Sequence, residues 1–345
     1  MTLGDLWYIV DVLFWVGFFV LEGFDFGVGM LHRFMGKNDI ERRVLVNSIG
    51  PVWDGNEVWL IVAGAVIFAA FPGWYATMFS TFYLALVVLL LALIVRGMSF
   101  EFGRKIDDPR WRESWSWGLT IGSALIPLLV GVALADLLHG LPINAAHQFT
   151  GNFFTLLTPF GLWTGVTMLV LSLLMGSTYL TLKTTGELHD RIQKATVGIG
   201  IASIVVTFGF MTWIHVGLSF GFVPKPIEAL GLMAVIAAAW LAHAKAEGWA
   251  FIAAALGIAG TVASIFQELF PRVMISTTNS LYTLTVNNTA SPSYTLKVMT
   301  VVAVIFFPVV LVYQAWSFHI FRTRLSVPKV GADGKPESGK VVAEH

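Results

Sequence analysis

The sequence predicts an all-α integral membrane protein of about nine transmembrane helices, with the N-terminus outside and the C-terminus cytoplasmic. Three observations carry that prediction. Of 345 residues, 56% are hydrophobic and only 12% charged, whereas soluble domains carry about a quarter of charged residues. The apolar residues run in long blocks of leucine, valine, alanine, phenylalanine and glycine, without the two-residue alternation of a membrane barrel, so the spans are helices. The basic residues fall almost entirely on one side of those blocks.

A hydrocarbon core of about 30 Å takes roughly 20 helical residues, and nine blocks meet that length. They cover residues 6–31, 51–71, 75–100, 115–138, 156–180, 196–216, 227–244, 250–270 and 298–321. The seventh is short and rich in alanine, which leaves eight spans as the alternative. With the N-terminus outside, the inner segments hold 18 of the 21 lysines and arginines, leaving Lys225, Arg272 and Lys297 outside. Cytoplasmic loops carry the basic excess, so the bias supports nine spans. Trp7, Trp74, Trp115, Trp249 and Trp316 lie near predicted span ends, where an amphipathic ring suits the headgroup region.

The N-terminus has no basic n-region or small-residue cleavage site, so the first block reads as a retained span. Residues 1–326 form one polytopic domain with no soluble domain appended, and 327–345, rich in glycine, proline and charge, form a disordered cytoplasmic tail. The 21 basic residues balance 21 acidic ones, which argues against nucleic-acid binding. With no cysteine, disulfides, iron–sulfur clusters and thioether-attached haem are excluded.

Ionisable groups inside apolar spans are the informative residues, because each costs about 2.5 to 3.5 kcal/mol at a helix centre unless paired or hydrated. The first span carries Glu22 and Asp25, three apart and so on one face. The second carries Asp54 and Glu57 at the same spacing with Asn56 between them, and the third ends in Arg96 and Glu101. Alternating span direction brings these groups to similar depth in the cytoplasmic half. Glycines 23, 27, 29, 55 and 64 are placed to let neighbouring helices approach closely. Carboxyls in such excess over one arginine in a low dielectric cannot all be ionised, so one holds a proton that it can pass on. The competing reading is a structural ion pair of Arg96 with one carboxylate, the rest being hydrated at the surface.

Elsewhere the signals are weaker. His32, His139, His147, His189 and His345 fall in loops or the tail, and His215, His243 and His319 at span ends. Haem-binding bundles place histidines within facing spans at matched depth, a pattern absent here, and no metal site is predicted. Asp11, Asp136 and Glu268 lie in the outer half, where solvated helix ends explain them.

The chain resembles subunit II of the cytochrome bd family of quinol oxidases. The resemblance rests on residues 22–31 (Glu-Gly-Phe-Asp-Phe-Gly-Val-Gly-Met-Leu) and 47–60 (Asn-Ser-Ile-Gly-Pro-Val-Trp-Asp-Gly-Asn-Glu-Val-Trp-Leu). Phe71-Pro72, residues 96–102, 150–154 (Thr-Gly-Asn-Phe-Phe), 186–189 (Gly-Glu-Leu-His) and 294–300 follow in family order. It implies two four-helix bundles plus a peripheral helix, paired pseudo-symmetrically with a haem-bearing subunit I in the bacterial inner membrane. That complex would oxidise ubiquinol or menaquinol and reduce dioxygen to water, with haem b558, haem b595 and haem d all in subunit I and no cofactor bound directly here. Small single-helix subunits and a structural quinone in a phenylalanine-rich groove are further family possibilities. By the same resemblance Asp25 and Asp54, with Glu22, Glu57, Arg96 and Glu101, would help admit cytoplasmic protons to the haem d region. Glu22 and Glu101 stand where family members often have aspartate.

Two other classes compete. A proton-coupled transporter would place its acids near the bilayer midplane at a repeat interface, and nine spans do not divide into equal repeats. A purely structural subunit would use the same charges only to set helix register.

Overall fold

A computed structural model describes residues 2–218, 220, 221 and 223–327. The predicted tail 327–345 therefore lies, apart from Val327, outside the described residues. The helices are α1 (Leu3–Met35), α2 (Asp39–Asn47), α3 (Trp53–Ala70), α4 (Pro72–Thr81), α5 (Tyr83–Phe102), α6 (Pro109–His139), α7 (Pro159–Lys183), α8 (Gly186–Thr212), α9 (Pro226–His243), α10 (Glu247–Leu269), α11 (Val286–Thr289) and α12 (Ser293–Ile320). Among the described residues, eight of them (α3, α5 to α10 and α12) are long and apolar enough to cross a membrane. The remaining long helix, α1, has 33 residues, about 50 Å of rise, and threads acidic residues through the centre of the molecule.

Local chemistry sets the helix starts. Thr2 caps α1 by accepting from the Asp5 amide at 3.1 Å, while Asp5 accepts from the Thr2 amide at 2.7 Å, a capping box. Asp108 and Thr158 cap α6 and α7, each followed by proline at the first helical position, where its missing N–H costs nothing. Several helices outrun the predicted blocks: α6 begins at Pro109 and α8 at Gly186, because polar first turns continue a helix into the headgroup region where hydropathy no longer registers it. The third predicted span, 75–100, is corrected. Its first turns belong to α4, the backbone breaks at Phe82 (ψ 13°), and α5 forms the span.

α7, α8, α9 and α10 pack each on the next and close with α10 on α7, a four-helix ring. α1, α3, α5 and α6 make the second group, joined to the first where α1 meets α7 and α10 and where α6 meets α7. α12 lies outside both groups along α1 and is almost wholly exposed on this chain. A short antiparallel hairpin of β1 (Arg272–Met274) and β2 (Leu284–Thr285) packs against α4, α6 and α10.

The closest approach is α1 against α7. A Cβ on Gly27 would lie 2.6 Å from the Gly176 Cα and would strike the Ser172 carbonyl. Glycine at both positions is what brings the acids of α1 into the interior. Gly27→Val is expected to destabilise the chain by about 3 kcal/mol or more, because both atoms it meets are backbone and cannot repack. Gly198→Val, where a Cβ meets nothing within 4 Å, is expected to be tolerated; membrane abundance and thermal aggregation of the two variants check this. Gly55 was expected to serve close packing and does not, since nothing lies within 4 Å of its Cβ position.

Two tryptophans expected at the membrane interface are core residues instead. Trp7 is buried and its indole donates to the Leu296 carbonyl at 3.2 Å and to the Thr300 hydroxyl at 3.1 Å, fastening α12 to α1. Trp74 is fully buried. Trp249 and Trp316 are exposed, as an interfacial position requires.

Candidate functional site

Glu22 and Asp25 sit on the same face of α1, and both are fully buried, as is Arg96 on α5. The Arg96 Nη2 lies 2.7 Å from the Glu22 Oε1, and its Nη1 pairs with the half-buried Glu57 of α3. A guanidinium at membrane depth is costly unless paired. Here it is compensated by two carboxylates and by the Phe26 and Phe100 rings, 5.1 and 5.4 Å from its centre, at cation–π distance.

From this ion-pair centre a hydrogen-bonded chain runs outward. The Asn56 amide donates to the Asp25 Oδ2 at 2.7 Å and to the Leu21 carbonyl at 3.1 Å. The Gln314 amide of α12 donates to the Asn56 Oδ1 at 2.8 Å. The Leu21 carbonyl can only accept, which fixes the Asn56 nitrogen toward Leu21 and Asp25 and leaves its oxygen for the Gln314 amide. The Asp25 Oδ1, the Glu22 Oε2, the Arg96 Nε and the Ser123 Oγ have no partner among the described residues. They are the polar atoms through which water could join the chain. Gln314 also lines an apolar groove of about 640 Å³ between α1, α3 and α12, walled by Phe14, Trp59, Phe306 and Phe307.

Four of the six sequence-predicted residues, Glu22, Asp25, Glu57 and Arg96, thus meet. Asp54 and Glu101 do not join them. Each is exposed on this chain, and neither has an ion pair among the described residues. Asp54 lies one turn before Glu57, in the first turn of α3, and is exposed where Glu57 is half-buried. Sequence reasoning noticed Asn56 only as a spacer and missed Gln314, a lone polar residue 258 positions away for which no motif speaks.

The acids that the sequence placed in the outer half depart from expectation. Asp11, Asp136 and Glu268 were read as solvated helix ends, yet all are buried. Asp136 accepts from the Thr158 hydroxyl at 3.0 Å, Glu268 pairs with Lys225 at 2.7 Å, and Asp11 has no partner among the described residues. His215, read as a polar helix-end residue, is also buried. Its ring, on a π-helical turn over Trp213–Gly217, contacts the Glu228 carboxylate at 2.7 Å and the Gly221 carbonyl at 2.5 Å. His32, also buried, contacts the Gly29 carbonyl at 2.7 Å and the Ser116 hydroxyl at 2.9 Å. Among the described residues no three of His, Asp and Glu form a metal-binding set.

Comparison with known proteins agrees with the motifs. The profile of the family described as cytochrome bd terminal oxidase subunit II matches residues 3–321. Cytochrome bd ubiquinol oxidase subunit 2 of Bacillus subtilis is 42% identical over 329 residues, covering 94% of this chain and 97% of its own. Cytochrome bd-I ubiquinol oxidase subunit 2 of Escherichia coli K12 is 39% identical over 351 residues, covering 90% and 92%. The fold matches a chain of the bd oxidase of Geobacillus thermodenitrificans with a TM-score of 0.75 over 93% of this chain and 99% of that one, at 14% identity. The chain belongs to the cytochrome bd terminal oxidase subunit II family, a multi-pass subunit of a haem-containing oxidase in the bacterial inner membrane.

Proposed function

We propose that this chain is the haem-free partner of the haem-bearing subunit I in a complex that oxidises quinol and reduces dioxygen to water. In this reading it stabilises that subunit and conducts cytoplasmic protons toward the oxygen-reducing site. The observation that carries the proton role is the buried cluster of Glu22, Asp25, Glu57 and Arg96, extended by Asn56 and Gln314. Three carboxyls around one guanidinium leave room for an exchangeable proton, and the ion pair alone does not require Asp25. Asp54 and Glu101, exposed nearer the predicted cytoplasmic ends of α3 and α5, are suited to collect protons. Glu57, one turn further along α3 from Asp54, would hand them to Glu22 and Asp25. Dioxygen reduction consumes protons, and haem is the group that supplies the electrons there.

Placing the haems in subunit I is supported by His32 and His215, buried among the described residues, each with both ring nitrogens engaged by protein groups. The quinol reading draws on the relatives, which are named ubiquinol oxidase subunits. The apolar groove beside α12 has the size and lining for a quinone held structurally. We further propose that α1 is a ninth span and that the C-terminus is cytoplasmic, supported by the one-sided distribution of basic residues.

The test is purification from bacterial membranes with a tag at the C-terminus. A haem-containing subunit with a d-type band in the reduced-minus-oxidised spectrum and quinol-dependent oxygen uptake are expected to come with it. A stable haem-free chain purifying alone would sink the proposal. The same tag is expected to be cut by protease in inside-out vesicles and protected in right-side-out ones.

A further inference from the structure

The amphipathic helix α2 buries Val44 and Leu45 and turns Arg43 and Asn47 outward, four residues apart and so on one face. Arg104, in the turn after α5, reaches across to donate to the Asn47 Oδ1 at 2.7 Å, which brings its guanidinium to the face that carries Arg43. Both line an open pocket of about 460 Å³ between α2, the end of α5 and the start of α6, a volume within the range of small-ligand sites. Arg110 opens α6 on the same pocket. Of the carboxylates there, Glu113 is taken by Arg33 and Arg42, and Asp39 lies 3.4 Å from Arg112. Among the described residues Arg43, Arg104 and Arg110 have no carboxylate within 4.0 Å. The floor of the pocket is apolar: Phe100, Trp115 and Leu119.

We propose that this pocket binds the phosphodiester headgroup of an anionic phospholipid, with Arg43, Arg104 and Arg110 on the phosphate and an acyl chain along Phe100, Trp115 and Leu119. Guanidinium groups match phosphate oxygens in geometry as well as charge. Basic pockets between membrane helices at the interface recognise such headgroups. The apolar floor distinguishes a lipid from free phosphate, which has nothing to place there.

The test uses the purified oxidase complex, stripped of lipid in neutral detergent. Phosphatidylglycerol, phosphatidylcholine and inorganic phosphate are added in parallel, and thermal unfolding is followed. Phosphatidylglycerol alone is expected to raise the unfolding temperature, with an effect that shrinks at high salt. The double variant Arg43→Gln/Arg104→Gln, both on exposed side chains, is expected to bind that lipid roughly 30-fold more weakly, the effect of two arginines facing an anionic headgroup. Lys37→Gln, on the same membrane face but outside the pocket, is expected to leave the response intact. An equal shift with inorganic phosphate would assign a free anion and overturn the lipid, as would an unchanged lipid response in the double variant or a response to phosphatidylcholine of the same size.

Discussion

Arg96→Leu is expected to destabilise the complex by about 3 to 5 kcal/mol, the usual cost of removing one partner from a buried ion pair. The size of the effect follows from what is left behind. Glu22 is fully buried and has no other cation within salt-bridge distance among the described residues, and Glu57 is half-buried beside it. Arg96 also packs against Gly122 and between the Phe26 and Phe100 rings, so the substitution loses contacts along the stem as well as charge. The double variant Glu22→Leu/Arg96→Leu is expected to recover much of the loss, since it removes both fully buried charges and leaves only Glu57, which is half-buried. Thermal unfolding and haem d content of membranes measure both. An Arg96→Leu complex as stable as the parent would mean the guanidinium is hydrated rather than paired.

Asp25→Asn is expected to lower quinol-dependent oxygen uptake roughly 100-fold with haem content unchanged, the low end of what a positioned proton-transfer group contributes. Asparagine keeps the shape and can still accept the Asn56 amide through its oxygen, so the chain folds; what it cannot do is take up and release a proton. Asp54→Asn is expected to act in the same direction but more weakly, because an exposed acid can be bypassed by water. Normal turnover in the Asp25 variant would remove this chain from the proton route and favour the reading in which its buried charges only set helix register. The ordering of the two variants is itself informative. It is a consequence of burial, which their nearly identical sequence settings, an acid three residues from a glutamate in an apolar span, do not reveal.

That contrast shows where sequence reading stops. Glu22, Asp25, Glu57 and Arg96 were legible because an ionisable group in an apolar span stands out, and because a spacing of three puts two acids on one face of a helix. Asp54 and Glu101 carried the same signal, yet only their neighbours turn inward. Spacing sets the angle between two residues of one helix but leaves open which of them faces another helix. Asn56 and Gln314 gave no signal at all, since an uncharged amide is cheap enough to sit anywhere near a span end, and their pairing is made by α12 returning along α1.

What the sequence determined by itself is what depends on the chain locally: a helical membrane protein, the positions of its apolar segments, the basic excess on one face and the family motifs. The tertiary structure decided what depends on distant segments meeting. It buried Asp11, Asp136, Glu228 and Glu268, made core residues of Trp7 and Trp74, and gathered Arg43, Arg104 and Arg110 around one pocket. The physical reason is range. Hydropathy and helical periodicity act within a few turns of one helix, whereas the burial of a charge, and the groups that compensate it, are set by whichever surfaces pack against it.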